Sequence, residues 1–379
     1  MIVLKLNLGK SRSGRGQVEG ETLEPQISSS LNVSVCFVVV EVSGKASPEI
    51  RIKQQNRRRG NSRTRKQAML NSSSFFVLAA YMDLGALKYL LFVFLLLTYV
   101  CILTWNLLLL SVICLNRTLR AEPMYVFLCS LLLNELYGST ALFPFLLAQI
   151  LRDVHVVSAP ACFLQIFALY SYGAVEFSML AVMAYDRYLA VCRPLQYGSS
   201  MTPAKTAALT ALTWGYSALM NLVVTYGLTF PLRLCANVIP KVYCDNFFVV
   251  RLSCSDTKLN NAFGLTNVFL RLVLLVALIL YSYGRILCVC LGGSVQARRR
   301  ALGTCTPHVL TLVNFMCGAL FEVVQSRLDM SALPNVIRVF LSLYWLSLQP
   351  LASPLLYGLK LTKIRLELRK LLQRQALTR

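Results

Sequence analysis

The stretch Met183-Ala-Tyr-Asp-Arg-Tyr-Leu-Ala-Val-Cys-Arg-Pro-Leu-Gln-Tyr197 decides how this chain is read. It lies where a long apolar run gives way to polar, basic sequence. Within it, Asp186-Arg187-Tyr188 sets opposite charges side by side at the end of that run. An ionisable pair at a membrane exit is costly unless it faces protein or water, which makes it a functional candidate. Taken alone, the triplet also fits a plain membrane-flanking salt bridge.

The composition around this stretch suits a membrane. Of 379 residues, 56% are hydrophobic and only 14% are charged, with a net charge of +22. Globular chains are typically about half apolar and about a quarter charged. A soluble chain of this size needs more charge to cover its surface, whereas lipid covers a polytopic membrane protein. No basic–aromatic groove pattern accompanies the positive charge, so nucleic acid is not expected as a partner. Lys and Arg instead gather in the loops that stay on the cytoplasmic side. The 13 cysteines and two histidines contain no CxxC pair, so no metal site is expected.

Seven long apolar stretches follow Lys88, at about 89–115, 124–149, 161–191, 206–228, 262–291, 302–325 and 335–358. Each reaches the roughly 20 residues needed to span a bilayer as a helix. None has the period-two alternation of barrel strands, so helices are the spanning form. The expected fold is all-α, a seven-helix transmembrane bundle over residues 89–358. Arg117, Arg120, Arg193, Lys205 and Arg298–Arg300 lie in alternate loops, and the tail carries Lys360, Lys363, Arg365, Arg369, Lys370 and Arg374. That side is the more basic, although the opposing loops hold Arg152, Arg233, Lys241 and Arg251. The charge bias puts it in the cytoplasm and the amino terminus, residues 69–88, outside. Residues 359–379 form a tail in which Leu361, Ile364, Leu368 and Leu371 fall at helical spacing among basic residues. This predicts a short amphipathic eighth helix along the inner leaflet lipid.

Residues 1–68 do not fit this plan. They include the basic run Arg57–Lys66, and Leu31–Val40 is too short to span. Two readings are open: a disordered basic arm, or translation that begins at Met69. A basic arm before an outward terminus opposes the charge bias, which favours the second. Met69-Leu-Asn-Ser then gives a short amino terminus with a glycosylation sequon at Asn71.

Several motifs occur in order: Asn106 in the first stretch, Pro123-Met-Tyr125, the run ending at Tyr197, Ser282-Tyr283, Arg300-Ala-Leu-Gly-Thr-Cys305 with His308, and Ser353-Pro-Leu-Leu-Tyr357. Together they resemble odorant receptors, a branch of the rhodopsin-like class A G-protein-coupled receptors. The likeness extends from about Met69 to Arg374, and Asn134-Glu-Leu-Tyr-Gly-Ser-Thr hints at the fish-type branch. The departures are Ser353 where Asn is usual, Glu135 for Asp, Met316 for an aromatic residue, and Arg193 for Asn.

The resemblance implies a plasma-membrane receptor that binds a small odorant and activates a stimulatory heterotrimeric G protein, with no enzymatic activity. Asp186 would restrain Arg187 beside Tyr188, while Tyr283, His308, Pro354 and Tyr357 would serve activation. The implied ligand residues are Tyr170, Gly173, Ala174, Asn267, Arg271, Ala319 and Val323. Sequence alone allows three pairings of Cys162, Cys235, Cys244 and Cys254; the resemblance implies Cys162–Cys244 and Cys235–Cys254. The remaining cysteines are expected to be free and buried. Glu135 and Glu176 are carboxylates at membrane depth and should face the bundle interior. The resemblance sets them beside Asn106 and Ser353, in a pocket for water or a sodium ion. Arg271, deep in the fifth stretch, either binds a ligand carboxylate, pairs with Glu322, or reaches toward the headgroups. A class A receptor for a non-olfactory ligand is the alternative. A transporter would show inverted repeats or broken helices, and none is seen.

Overall fold

The computed structural model describes residues 75–81, 85–292, 295–327 and 335–377. The leader and the Asn71 sequon lie outside the described residues. Seven long helices dominate: α1 Leu87–Leu115, α2 Pro123–Ile150, α3 Ala159–Cys192, α4 Pro203–Leu222, α5 Lys258–Gly292, α6 Val295–Arg327 and α7 Asn335–Lys360, followed by α8 Thr362–Leu377. Each of α1–α7 is long and apolar enough to cross a membrane.

Their ends follow local chemistry. Proline stands in the first turn of α2, α3 and α4, where its missing N–H costs no helical bond. The Thr202 side chain caps α4 by accepting from the Lys205 amide at 3.2 Å. The last turn of α4 widens into a π-helical segment, Val223–Thr229, which the Thr229 hydroxyl closes on Val224 O at 3.1 Å. Helix α5 runs past Ser282-Tyr283 to Gly292.

Helix α3 is the hub, packed against α2, α4, α5 and α6, while α7 fills the space beside α1, α2 and α6. Leu90, Val93, Leu97, Leu274 and Leu280 face away from the bundle and are exposed in the isolated chain. Among the described residues, Cys101, Cys114, Cys288 and Cys317 are also exposed, and of the cysteines outside the disulfides only Cys290 and Cys305 are buried. The expectation of burial therefore fails for most of them. An apolar thiol on a spanning helix is accommodated by lipid as readily as by a protein core.

A small sheet, absent from the all-α expectation, stitches one end of the bundle. Strand β1 (Phe75–Leu78) lies between β2 (Val156–Ser158, antiparallel) and β3 (Val238–Ile239, parallel). Period-two alternation turns Phe76 and Leu78 inward, both buried, and Phe76 meets the Phe163 ring edge-on at 6.2 Å. The disulfides Cys162–Cys244 and Cys235–Cys254 are formed at this same end. At the other end α8 packs on α1 and α7. Leu361 and Ile364 are buried against the bundle, so the forward part of the tail's apolar face meets protein, where lipid was expected. The side chain of Leu371 lies outside the described residues.

Candidate functional site

At the end opposite the disulfides, Asp186 is buried and holds two partners. Arg187 donates to Asp186 Oδ2 through Nε at 3.0 Å and through Nη2, while the Tyr197 hydroxyl donates to Oδ1 at 2.8 Å. The pair thus faces protein, and Tyr197 completes a three-member latch. Burial, then the Asp186 charge, holds the Tyr197 phenol above its ordinary range, so it stays a donor. Nearby, His308 as the Nε2–H tautomer donates to Leu180 O at 3.0 Å, and its Nδ1 accepts from the Tyr283 hydroxyl. This ties α3, α5 and α6 together. Tyr188 is buried beside Tyr281, with ring centroids 5.7 Å apart, and Tyr357 is buried in α7 with its hydroxyl close to Thr311.

Above the latch runs a buried polar column. Pro354 has no N–H to give the carbonyl four residues back, and that carbonyl, Pro350 O, accepts from Asn106 Nδ2 at 3.0 Å instead. Glu135 and Glu176 are both 0% exposed. Tyr172 and Ser353 each donate to one oxygen of Glu135 at 2.9 Å. Asn134 and Gln349 donate to those of Glu176 at 2.9 and 3.0 Å. Asn314 Nδ2 in turn reaches Gln349 Oε1 at 2.6 Å. The column therefore ties α1, α2, α3, α6 and α7 together. Ser353, with one short hydroxyl, replaces the family's usual amide and satisfies Glu135 directly. Tyr172, Gln349 and Asn314 were not singled out from sequence, although Tyr172 lies one turn from Glu176 and Gln349 one turn from Ser353.

Nearer the disulfides, a cavity of about 290 Å³ opens between α3, α4, α5, α6 and α7. All seven residues implied as ligand contacts line it: Tyr170, Gly173 and Ala174 from α3, Asn267 and Arg271 from α5, Ala319 and Val323 from α6. Trp345 of α7 forms part of the floor, and it fits there because Gly318 opposite carries no Cβ. A Cβ at Gly318 would stand 2.3 Å from the indole Cδ1. The cavity roof is the loop segment that Cys244 pins to the head of α3. Asp245 accepts from the Phe248 amide at 3.2 Å, capping a short helix, Asn246–Arg251.

Arg271 does not pair with Glu322, contrary to one expectation. Glu322 is engaged by Lys241 in an ion pair and accepts from the Tyr243 hydroxyl at 2.9 Å. Arg271 Nε donates to Asn267 at 3.0 Å, and its guanidinium lies over the Tyr216 ring at 5.0 Å. Lys241, Tyr243 and Asp245 were missed in the sequence. The available signal was their position: residues flanking Cys244 are tethered to α3 and have nowhere to go but over the bundle mouth.

Seven membrane-length helices around a buried polar column, with a walled cavity at one end and an Asp-Arg-Tyr latch at the other, define the rhodopsin fold. The crystal structure of squid rhodopsin superposes with a TM-score of 0.60 at 15% identity, covering 75% of this chain and 85% of that one. Within that fold the chain belongs to the olfactory receptor family, whose family model matches residues 95–375. It is 34% identical over 302 residues to human olfactory receptor 6N1, covering 79% of this chain and 95% of that protein. It is 33% identical over 262 residues to mouse olfactory receptor 6E1, covering 68% and 83%. The protein is therefore an odorant-type G-protein-coupled receptor, a multi-pass membrane protein and not an enzyme.

Proposed function

We propose that this receptor sits in the plasma membrane with its disulfide end outside and α8 inside, binds a small organic odorant in the cavity, and couples to a stimulatory, cAMP-raising G protein. The observation that carries this reading is the cavity itself. It is enclosed by five helices and a disulfide-pinned loop, and one of its floor residues, Trp345, packs against Phe315 and Tyr172 of the column below. A ligand that favours one arrangement of this floor biases the equilibrium between a latched and an opened inner face. Arg187 and the basic loops then receive a helix of the G protein, a helix-in-groove contact. Lys363 pairs with Glu122, and α8 rests against anionic lipid through its remaining basic residues.

The Glu135–Glu176 pair lacks a Lys or Arg counter-ion among the described residues. Two adjacent buried carboxylates call for a shared proton or a cation. The oxygens present suit a small hard cation such as sodium: both carboxylates, Ser353, and the unpartnered Oδ1 atoms of Asn106 and Asn134.

The direct test is a cAMP reporter in cells expressing the full chain with a stimulatory olfactory-type α subunit, challenged with acids, aldehydes, amines and amino acids. A ligand-dependent rise that Ala319→Phe removes at equal surface expression supports the cavity as the binding site. A rise that survives the filled cavity contradicts it.

A further inference from the structure

The charges that line the cavity do not cancel in contact. Glu322 is spent, because one oxygen holds Lys241 and Tyr243 and the other accepts from Gln325 at 3.3 Å. Asp245 caps a backbone amide with Oδ1 and takes the Tyr170 hydroxyl at 3.3 Å on Oδ2. It is 7% exposed and has no cationic partner within 4.0 Å among the described residues. Lys241 offsets Glu322, which leaves the Asp245 carboxylate as the unmatched acid in the cavity lining. On the α5 wall Arg271 has no carboxylate within 4.0 Å among the described residues, and its buried Nη2 has no hydrogen-bond partner. A buried guanidinium nitrogen left without an acceptor is costly, and so is a buried carboxylate left without a cation.

We propose that the cavity takes a small zwitterion, with its carboxylate on Arg271 and its ammonium on Asp245. This rests on the cavity being the ligand site. An uncharged odorant leaves both poles desolvated, a simple acid leaves Asp245 unmatched, and a simple amine leaves Arg271 unmatched. A molecule carrying both groups satisfies the two together. The planar guanidinium, already stacked on Tyr216 and steadied by Asn267, presents Nη2 to a carboxylate in a charge-assisted bond. A cavity of about 290 Å³ lies at the small end of the usual range for ligand sites, which limits the ligand to a few carbons beyond its two charged groups. The poles belong to different walls, roof and α5, so the spacing between ammonium and carboxylate sets the fit.

The test is ligand-induced thermal stabilisation of the purified full chain in detergent. The probes are the unbranched series of amino acids from glycine to 6-aminohexanoate, with pentanoate and pentylamine as single-charge controls. The proposal expects at least one zwitterion to raise Tm at a concentration tenfold below that needed for either control. Arg271→Gln and Asp245→Asn should each remove that advantage. Asparagine caps a helix as well as aspartate does, so the second variant keeps the roof while deleting the charge. Equal stabilisation by pentanoate or pentylamine, no stabilisation by any zwitterion, or an advantage that survives both variants overturns the proposal. A cAMP response to uncharged odorants without zwitterion binding sinks this inference alone and leaves the receptor reading standing.

Discussion

Gly138 shows how a single hydrogen atom shapes the column. A Cβ there would lie 2.5 Å from the Tyr172 ring, and that ring is buried with its hydroxyl committed to Glu135. Alanine is intrinsically the better helix former by about 1 kcal/mol, but overpacking at an immobile neighbour costs about 1–3 kcal/mol. Gly138→Ala is therefore expected to lower the Tm of the purified receptor; an unchanged or raised Tm would show that Tyr172 can move. Ser353→Ala tests the same cluster from α7. It leaves the buried Glu135 short of one donor, at about 1–3 kcal/mol, and should also lower Tm, whereas Ser353→Thr should restore it. At this scale the sequence was partly legible. Glu135, Glu176, Asn106 and Ser353 stood out because polar groups in apolar runs are rare. Their partners Tyr172 and Gln349 did not, because a tyrosine or glutamine in a helix has many ordinary explanations until a neighbouring helix supplies the carboxylate. Arg271 was recognised as anomalous, and of its three expected roles the pairing with Glu322 fails, because Lys241 takes Glu322 from a loop whose path only the folded disulfide defines.

The two disulfides should differ in consequence at the scale of elements. Cys162–Cys244 closes a loop of 82 residues and pins the cavity roof to α3, while Cys235–Cys254 closes 19 residues within the loop itself. Cross-links over longer loops stabilise more, here by about 1 kcal/mol on the chain-entropy estimate. Cys162→Ser is expected to abolish ligand response and most surface expression. Cys235→Ser should retain measurable amounts of both, and the reverse order would contradict the assigned role of the roof. The small sheet gives a pH prediction. His155 stacks on Tyr81 at 4.6 Å, and burial first, then Lys88, lowers its pKa against the opposing pull of the Gln149 carbonyl and Asp153. A histidine whose folded pKa is depressed favours the folded state while neutral. That contribution is present above about pH 6.5 and is lost as pH falls below it. Tm should therefore drop more between pH 7.5 and 5.5 for the parent than for His155→Gln; equal drops would remove His155 from the account. The helices were readable from apolar length alone. The strand Phe75–Leu78 was not, because four apolar residues carry no period long enough to separate a strand from the edge of a helix.

Over the whole molecule, a polar column occupies the middle of the bundle, with the cavity at one end and the Asp186–Arg187–Tyr197 latch at the other. Asn106, Glu135, Glu176, Gln349 and Ser353 join the spanning helices in the middle of the bundle, and Trp345 and Tyr172 connect that middle to the cavity floor. The order of motifs along the chain made this architecture legible, since each motif had to fall on its own helix at a matching depth. The cavity's charge pattern was not legible, because it arises from residues far apart in sequence: Asp245 in a loop and Arg271 in α5. The central claim is that occupancy of the cavity releases the latch at the opposite end. The most direct measurement is ligand-stimulated cAMP in cells expressing either the parent chain or Arg187→Ala at matched surface levels. The account predicts a concentration-dependent rise in the parent and its loss in Arg187→Ala, with ligand binding to the purified variant retained. A full cAMP response from Arg187→Ala would contradict it.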